Sequence, residues 1–291
     1  MSSPSTGELG ELMEPPGAPD ATPVFDLLRD ALRAEQPVAL ASVVGGPGVG
    51  AKLLVAPDTP AVGSLGDRDL DRVVARDARG ELESGTTVTR HYGRHGEARE
   101  RVVEVFIESF APPPRLIIFG AVDFTAALVR AGKLLGYHVT VCDAREVFAT
   151  RARFPLADAV VCDWPDRHLR SIGASLGPRD AVCVLTHDMK FDVPAIVAAL
   201  GTQVGYLGAM GSRRTHADRV ERLRDAGVDD AGLARLMAPI GLDIGARTPE
   251  ETAVAICAEI IASRTGKPAP SLRDARGPIH ALRAPSSPAP G

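Results

Sequence analysis

The sequence predicts an α/β protein, with a Rossmann-like doubly wound parallel sheet in its C-terminal part and a smaller α+β domain in its N-terminal part. Two observations support this fold class. After residue 114, continuous apolar runs alternate with stretches of helix length, which is typical of parallel strands that helices cover on both faces. Before residue 111, short strands surround one polar helix, and the last strand alternates polar and apolar residues, as expected for a sheet with one buried face.

We expect five segments along the chain. Residues 1–22 and 267–291 are rich in Pro, Ser, Gly and Ala and lack periodicity, so both are predicted to be disordered tails. The run Ala-Pro-Pro-Pro at residues 111–114 suits neither a helix nor a central strand and is predicted to be a linker. It separates an N-terminal domain at residues 23–110 from the Rossmann-like domain at residues 115–266.

The N-terminal domain is predicted to begin with a helix at residues 24–36. Two apolar strands follow at residues 37–44 and 51–57, and the glycine-rich loop GGPGVG joins them. A polar helix runs from Asp67 to about Arg79. A hairpin with strands in residues 86–92 and 100–110 closes the domain, and it turns between Gly93 and Gly96.

Five parallel strands are predicted in the Rossmann-like domain. They are Leu116–Phe119, His138–Cys142, Ala159–Cys162, Ala181–Leu185 and Val204–Leu207. In a doubly wound sheet, ligands bind beyond the carboxyl ends of the strands. The candidate functional residues are therefore those that follow these strands.

Composition argues against several classes of function. A net charge of −4 over 291 residues argues against nucleic acid as the main partner. No apolar run approaches the roughly 20 residues that span a bilayer, and the first residues lack the basic and apolar regions of a signal peptide. The expected protein is soluble and cytoplasmic. Cys142, Cys162 and Cys183 lie in separate strand-like runs, so they are predicted to be core residues, and no metal site is expected.

The first strand of the Rossmann-like domain ends in a turn that resembles a nucleotide-binding turn. Gly120 occupies the tight-turn position, Ala121 follows it, and Asp143 lies about twenty residues later, where a ribose-binding acid belongs. The second glycine of that motif is replaced by Val122, whose branched side chain adds bulk where the backbone should contact a pyrophosphate. Ordinary NAD(P) binding is therefore disfavoured. The turn is either a ligand site or purely structural, and Asp143 with Arg145 is either a ligand contact or a salt-bridged turn.

Thr186, His187 and Asp188 follow the fourth strand. A histidine beside a carboxylate suits proton transfer or ligand contact, so His187 and Asp188 are the candidates for any catalytic role. The alternative is that His187 is an ordinary loop residue and that Asp188 caps the next helix. Trp164, the single tryptophan of the chain, is expected to be a packing residue rather than a stacking surface.

The sequence LGAMGSRRTHADRVERL contains the most informative turn of the chain. Gly208 and Gly211 are predicted to bracket it, Ser212 is the predicted N-cap of a helix, and Arg213 and Arg214 lie in its first turn. Unpaired N–H groups and a partial positive charge already favour an anion at a helix N-terminus. Since that position usually carries acidic residues, the two arginines indicate an anionic ligand. The alternative is a solvated helix face on which they pair with acidic residues of the same helix.

A second glycine-containing loop, residues 239–245, precedes the last predicted helix. Thr248 and Glu251 form the pattern of a capping box, with proline at the first helical position. In the loop, Gly241 allows the backbone to approach a ligand closely, and Asp243 supplies one carboxylate. Together with the arginine-bearing helix, this loop indicates a phosphorylated small molecule as the ligand.

Four motifs in this order carry a family resemblance. They are RFPLAD at residues 153–158, VLTHDMKFD at 184–192, YLGAMGSRRT at 206–215 and APIGLDIGARTPEE at 238–251. The run of residues 116–264 closely resembles the C-terminal domain of the XdhC/CoxI family, the accessory proteins of xanthine dehydrogenase and related molybdenum hydroxylases. The first segment is similar to the family's N-terminal domain through PVALASVV, GAKLLV and GSLG.

The resemblance implies a non-catalytic carrier rather than an enzyme. Members of this family bind the molybdenum cofactor, a phosphorylated pterin, assist its sulfuration and hand it to an apo-hydroxylase. The implied partners are a sulfurtransferase and a client hydroxylase of the xanthine dehydrogenase or carbon monoxide dehydrogenase type. The alternative from another class is an NAD(P)-dependent oxidoreductase with His187 as the acid–base group. A third possibility is a scaffold protein that has lost its ligand.

The chain departs from the family pattern at two places. After Gly66 the family usually continues with further glycines, a cysteine and an acid, whereas this chain has Asp-Arg-Asp-Leu at residues 67–70. Val122 and Asp123 stand where the family often has a glycine and a histidine. These differences are typical of a divergent branch with a different client.

We also expect the N-terminal domain to take part in the ligand site. Gly63, Ser64 and Gly66 form a turn that keeps two glycines and a serine, and ligands commonly bind at domain interfaces. Because a neighbouring protomer could supply this domain, a homodimer is expected rather than a monomer.

Overall fold

The computed structural model describes residues 22–98, 100–186 and 188–275, and the chain divides into two compact units between Pro113 and Pro114. Each unit contains its own sheet and its own hydrophobic core. Most of the two predicted disordered tails, residues 1–21 and 276–291, lies outside the described residues.

The first unit contains a five-stranded antiparallel sheet and two helices. Its elements in chain order are α1 (Thr22–Arg33), β1 (Val38–Gly45), β2 (Lys52–Val55), β3 (Val62–Ser64), α2 (Arg68–Ser84), β4 (Val88–Tyr92) and β5 (Val103–Phe110). The strands lie in the order β3-β2-β1-β5-β4, and every neighbouring pair is antiparallel. The predicted α+β arrangement is therefore confirmed, and β3 is an additional strand that the sequence pattern did not predict.

Helix α2 packs its apolar face against this sheet. Leu70, Val74 and Ala78 recur at four-residue intervals and are buried in the same core as the inward residues of β1 and β5. The Asp67 side chain caps the helix by accepting hydrogen bonds from two backbone N–H groups, and Gly85 ends it with a φ of 64°.

The second unit contains a six-stranded parallel sheet. Its elements in chain order are β6 (Arg115–Phe119), α3 (Asp123–Leu134), β7 (His138–Cys142), β8 (Ala159–Val161), α4 (Pro165–Ile172), β9 (Ala181–Val184), α5 (Met189–Leu200), β10 (Tyr206–Ala209), α6 (Arg213–Asp225), α7 (Asp230–Ala234), β11 (Leu236–Met237) and α8 (Pro249–Thr265). The strands lie in the order β11-β10-β9-β6-β7-β8. Counted from β6, this is 6-5-4-1-2-3, the strand order of the Rossmann fold. The predicted doubly wound sheet is therefore confirmed.

Alternate residues of β6 face two different cores. Leu116 and Ile118 pack with residues of α3 and α8 on one face of the sheet. Ile117 and Phe119 pack with residues of α4, α5 and α6 on the other face. Because both faces are covered, the strand is apolar at four successive positions rather than at every second one.

Two predictions from the sequence are wrong: the bounds of one strand and the burial of one cysteine. The strand predicted at Val204–Leu207 spans Tyr206–Ala209, because glycine at position 208 carries no apolar side chain to signal a strand. Strand β8 ends at Val161, at the edge of the sheet, so Cys162 lies beyond it and is exposed rather than part of the core. Cys142 and Cys183 are buried as predicted.

Within the described residues, none of the helices combines the length and the apolar character that a membrane span requires.

Candidate functional site

The carboxyl ends of the parallel strands β6, β7, β9 and β10 lie at one edge of the sheet of the second unit. The sequence-predicted residues that follow these ends are Gly120, Ala121 and Val122 after β6, Asp143 and Arg145 after β7, Thr186 and Asp188 after β9, and Gly211, Ser212, Arg213 and Arg214 after β10. His187 is also a predicted site residue, and it lies outside the described residues.

The turn after β6 packs directly against the end of β9. Gly120 has a φ of +106°, and a Cβ atom at this position would lie 2.8 Å from Cγ2 and 3.0 Å from the backbone nitrogen of Thr186. Glycine is therefore required here by the backbone conformation and by the closeness of Thr186. Val122, which replaces the second glycine of a nucleotide-binding turn, is the N-cap residue of α3, and its side chain packs against the core.

Asp143 closes the same turn from the neighbouring strand. Its Oδ2 accepts a hydrogen bond from the N–H of Ala121 at 2.7 Å, and both of its oxygens accept hydrogen bonds from the guanidinium of Arg145 at 2.8–2.9 Å. Burial opposes ionisation of this carboxyl group, but the hydrogen bonds from Arg145 and from the two backbone amides outweigh burial and hold the pKa of Asp143 below its usual value. The carboxylate that a ribose would need is thus fully engaged within the protein.

Arg153 contacts this turn from a distant part of the sequence, and the sequence pattern did not assign it to the site. Its Nη1 donates a hydrogen bond to the carbonyl oxygen of Ala121 at 3.1 Å, and the guanidiniums of Arg145 and Arg153 lie 4.4 and 5.2 Å from the ring centre of Phe148. Arg153 is the first residue of the motif RFPLAD, which pointed only to the family resemblance. Its single arginine lies 32 residues from Ala121 in the sequence, so no local pattern indicated the contact.

The loop after β9 has a structural role at Asp188. Asp188 is the N-cap of α5 and accepts a hydrogen bond from the N–H of Lys190 at 3.1 Å, while its Oδ2 lies 3.2 Å from the Lys190 ammonium group. The backbone hydrogen bond from Lys190 is the main reason that the pKa of Asp188 is lowered. The carboxylate therefore has the capping contacts that were the alternative to catalysis.

The turn after β10 leads into α6 as the sequence indicates. Ser212 is the N-cap, and its Oγ accepts a hydrogen bond from the N–H of Thr215 at 3.1 Å. Gly211 has a φ of +150°. Gly208 does not bracket the turn as predicted, because it lies inside β10, where a Cβ atom would overlap the side chain of Ile240 at 2.5 Å.

Arg213 and Arg214 project from the first turn of α6 into solvent. Across residues 22–98, 100–186 and 188–275, neither side chain makes an ion pair or a hydrogen bond, so the predicted alternative of pairing along the helix does not occur. In the last turn of the same helix, by contrast, Arg224 pairs with Asp230 at 3.0 Å. The N-terminus of α6 therefore combines two uncompensated positive charges with the positive end of the helix dipole.

A third arginine of α6 lies beneath this turn and is fully buried. Arg219 donates hydrogen bonds from Nη2 to Oδ2 of Asp192 at 3.0 Å and to the carbonyl oxygen of Met210 at 2.7 Å. Its Nε and Nη1 have no hydrogen-bond partner in the described part of the chain, and neither does Oδ1 of Asp192. A Cβ atom on Gly211 would lie 3.5 Å from Nη2 of Arg219. The sequence pattern did not identify this arginine, because a buried arginine and an exposed one give the same pattern in the sequence of a helix.

The loop of residues 239–245 presents one free carboxylate. Gly241 donates its N–H to Glu259 at 2.9 Å, and the same carboxylate oxygen accepts the hydroxyl of Tyr206 at 2.6 Å. Gly241 is therefore held by the protein itself. Asp243 is exposed and makes no hydrogen bond or ion pair with any residue that the structure describes.

The turn at Gly63, Ser64 and Gly66 belongs to the first unit, and its hydrogen bonds are satisfied locally. Asp71 accepts hydrogen bonds from the Ser64 hydroxyl at 2.7 Å and from the N–H of Leu65 at 2.6 Å. Ser64 Oγ in turn accepts a hydrogen bond from the N–H of Gly66 at 3.0 Å. A ligand that used these N–H groups would have to displace the local acceptors.

Two family models match this chain. The XdhC Rossmann domain matches residues 116–260, and the XdhC and CoxI family matches residues 31–93. The chain belongs to the XdhC and CoxI family.

Two curated relatives and one solved structure place this member of the XdhC and CoxI family among known proteins. The chain is 33% identical over 165 residues to a probable xanthine dehydrogenase subunit of Bacillus subtilis (strain 168), and the match covers 57% of this chain and 47% of that protein. It is 33% identical over 94 residues to the molybdenum cofactor insertion chaperone PaoD of Escherichia coli (strain K12), and this match covers 32% of this chain and 30% of that protein. This XdhC-family chain thus spans less than half the length of both relatives.

The solved structure is that of a xanthine dehydrogenase from Bacillus halodurans. It is 22% identical to this chain, with a TM-score of 0.48, and the match covers 85% of this chain and 98% of that chain.

Proposed function

We propose that this protein is a carrier for the molybdenum cofactor, a phosphorylated pterin, and that it assists the maturation of a molybdenum hydroxylase. Family membership and the name of the PaoD relative support this role. The observation that carries the proposal is the N-terminus of α6, where Arg213 and Arg214 are unpaired among the described residues and a buried arginine lies beneath the turn.

The residues at this turn fit a phosphate group. The N–H groups of Arg213 and Arg214 make no hydrogen bond within the described residues, as expected for the first turn of a helix. Two guanidiniums at the same place supply charge-assisted donors, which form the stronger class of hydrogen bonds to phosphate. Arg219 adds a positive charge that its partner Asp192 only partly satisfies. The phosphate of the cofactor would be held by these groups.

The turn after β6 fits a dinucleotide poorly. Both oxygens of Asp143 already accept hydrogen bonds, and Val122 places a branched side chain at the position of the second glycine. A nicotinamide nucleotide would need to displace Arg145 to reach the carboxylate. These contacts favour a carrier over an oxidoreductase that uses NAD(P).

The proposed partners follow from the proposed cargo. A carrier receives the cofactor, protects it while a sulfurtransferase acts on it, and delivers it to the client hydroxylase. The proposal includes a homodimer as the working form of the protein.

Anaerobic binding of the isolated cofactor tests the proposal. Purified full-length protein is mixed with molybdenum cofactor released from a molybdenum enzyme, passed over a gel-filtration column, and assayed for pterin by fluorescence after oxidation. We expect the protein fraction to retain pterin at micromolar protein concentration. Absence of pterin from that fraction would contradict the proposal.

Titration of the same protein with NADPH tests the alternative function, an oxidoreductase that uses NAD(P). We expect no saturable binding. Tight binding that Asp143→Ala abolishes would favour the oxidoreductase instead. If neither ligand raises the melting temperature, the protein is a scaffold, since a ligand at 100 times its dissociation constant adds about 2.7 kcal/mol to the free energy of unfolding.

A further inference from the structure

Trp164 lies at the same sheet edge as the N-terminus of α6 with Arg213 and Arg214, which we call the anion site, and it is not a buried residue. The residue follows β8 and is the N-cap residue of α4, and it is 47% exposed. The sequence led us to expect packing. An exposed tryptophan at the carboxyl edge of a doubly wound sheet lies where such sheets bind ligands.

One side of the Trp164 ring is fixed by the protein. Its ring centre lies 5.0 Å from that of Phe191, a buried residue in the first turn of α5. The backbone N–H of Trp164 donates a hydrogen bond to Oδ1 of Asp163 at 2.8 Å, and Asp163 is held by Arg167 at 3.2 Å. The indole is therefore anchored, and the part of it that stays exposed is available for stacking.

A hydrogen-bond acceptor lies next to the exposed ring. Oδ1 of Asp163 is used by the backbone of Trp164 and by Arg167, whereas Oδ2 makes no hydrogen bond or ion pair in the part of the chain that the structure describes. An ionised carboxylate only accepts hydrogen bonds, so it requires a donor on the ligand. The edge of a 2-amino-4-oxo heteroaromatic ring, as in a pterin or a guanine, carries such donors.

Helix order connects this ring with the anion site. Helix α5 packs against both α4 and α6, so the N-cap residues Trp164, Asp188 and Ser212 follow one another along the same edge. A ligand with its phosphate at α6 and its ring at α4 would cross the N-terminus of α5. The contact between Trp164 and Phe191 brings the ring toward that middle helix.

We propose that Trp164 and Asp163 form the binding site for the planar 2-amino-4-oxo ring of the ligand, with Trp164 as the stacking surface and Asp163 as the acceptor for its amino edge. The inference rests on the proposed function, since it assigns the pterin end of a ligand whose phosphate binds at α6.

The single tryptophan makes the ring site directly measurable. Because Trp164 is the only tryptophan of the chain, its emission reports on this position alone. Guanosine monophosphate carries the 2-amino-4-oxo edge, adenosine monophosphate lacks it, and inorganic phosphate lacks a ring. We expect saturable quenching by the guanosine nucleotide, weaker quenching by the adenosine nucleotide and none by phosphate. Asp163→Asn should reduce the preference for the guanosine nucleotide.

Cofactor retention by Trp164 variants completes the test. Base–aromatic stacking lost by truncation corresponds to roughly a tenfold loss of affinity, so Trp164→Ala should retain molybdenum cofactor about tenfold more weakly, and Trp164→Phe should recover most of the affinity. Thermal unfolding of each variant checks that it is folded. Unchanged retention by Trp164→Ala would overturn this inference and leave the proposed function intact. If wild-type protein retains no cofactor, the proposed function fails, and equal quenching by the two nucleotides would then overturn the ring site separately.

Discussion

The two glycine turns of the second unit, after β6 and after β10, contrast in how their charges are used. In the turn after β6, Asp143 neutralises Arg145 and holds the backbone of Ala121. In the turn after β10, Arg213 and Arg214 have no acidic partner among the described residues. We call the turn after β6 the closed turn, because its charges are satisfied by its own side chains, and the turn after β10 the open turn, because its arginines are unpaired among the described residues.

This difference indicates where we expect an anion to bind in a Rossmann-like sheet that does not follow the nucleotide-binding pattern. The usual phosphate position lies at the first turn, where backbone N–H groups at the start of the first helix face a pyrophosphate. Here Val122 and the Asp143 network occupy that place. The unpaired cationic side chains lie instead at the end of β10, which is separated from β6 by the neighbouring strand β9.

The largest effect is expected from the buried arginine beneath the open turn. Arg219→Gln leaves Asp192 as an uncompensated buried charge, and breaking a buried pair in this way costs about 3–5 kcal/mol. Arg224→Gln, which removes an exposed ion pair from the same helix, should cost at most about 1 kcal/mol. Urea unfolding of both variants measures the difference. Equal losses would show that Arg219 does not stabilise the floor of the turn.

The next effect is a dependence of stability on pH. Burial raises the pKa of Asp192 to about 6, against the pull of Arg219, whereas an unfolded aspartate titrates near about 3.9. Between these values the folded state binds more protons, so lowering the pH through this window adds stability, with a slope of up to about 1.4 kcal/mol per pH unit.

Asp192→Asn removes this titration. The free energy of unfolding of wild-type protein minus that of the variant should therefore rise as the pH falls from about 7 to about 4. Denaturant melts of the two proteins across this range provide the measurement. A difference that stays flat, or that falls with the pH, would contradict the burial of an ionised Asp192.

A smaller effect is expected at the closed turn. Gly120→Ala combines an unfavourable φ with overlap against Thr186, whereas Gly136→Ala has a similar positive φ of 80° and no atom within 4 Å of the new Cβ. The overlap should cost about 1–3 kcal/mol beyond the control. Thermal unfolding of the two variants measures that cost. Equal melting temperatures would mean that the backbone of the turn shifts to accommodate the new Cβ atom at no cost in stability.

Much of the fold followed from local sequence patterns. Continuous apolar runs predicted the parallel strands, and the capping signals at Ser212 and Thr248 predicted the starts of α6 and α8, where both side chains accept the expected backbone hydrogen bonds. Such patterns work because caps and strand burial depend on residues close in the sequence.

The tertiary contacts of the site could not be predicted from local sequence patterns. The hydrogen bond from Arg153 to Ala121 joins residues 32 apart, and the Arg219–Asp192 pair joins residues 27 apart. Burial of Arg219 and exposure of Trp164 oppose what is usual for these residue types. Whether a charge is neutralised depends on these tertiary partners, so the sequence favoured the turn before α6 as the anion site and could not show that its arginines are unpaired among the described residues while Arg145 is paired.

The affinity of the molybdenum cofactor for two matched pairs of variants tests the central claim most directly. Arg213→Ala/Arg214→Ala removes the unpaired arginines of the open turn, and Arg145→Ala/Arg153→Ala removes the two arginines that are hydrogen-bonded at the closed turn. Arg222→Ala/Arg224→Ala, at the opposite end of α6, is the control for charge. We expect the first pair to lose roughly 1.5–3 kcal/mol per arginine, about 10- to 100-fold in affinity for each, while the other two stay near wild type. A larger loss in Arg145→Ala/Arg153→Ala than in Arg213→Ala/Arg214→Ala would contradict the account and place the phosphate at the first turn.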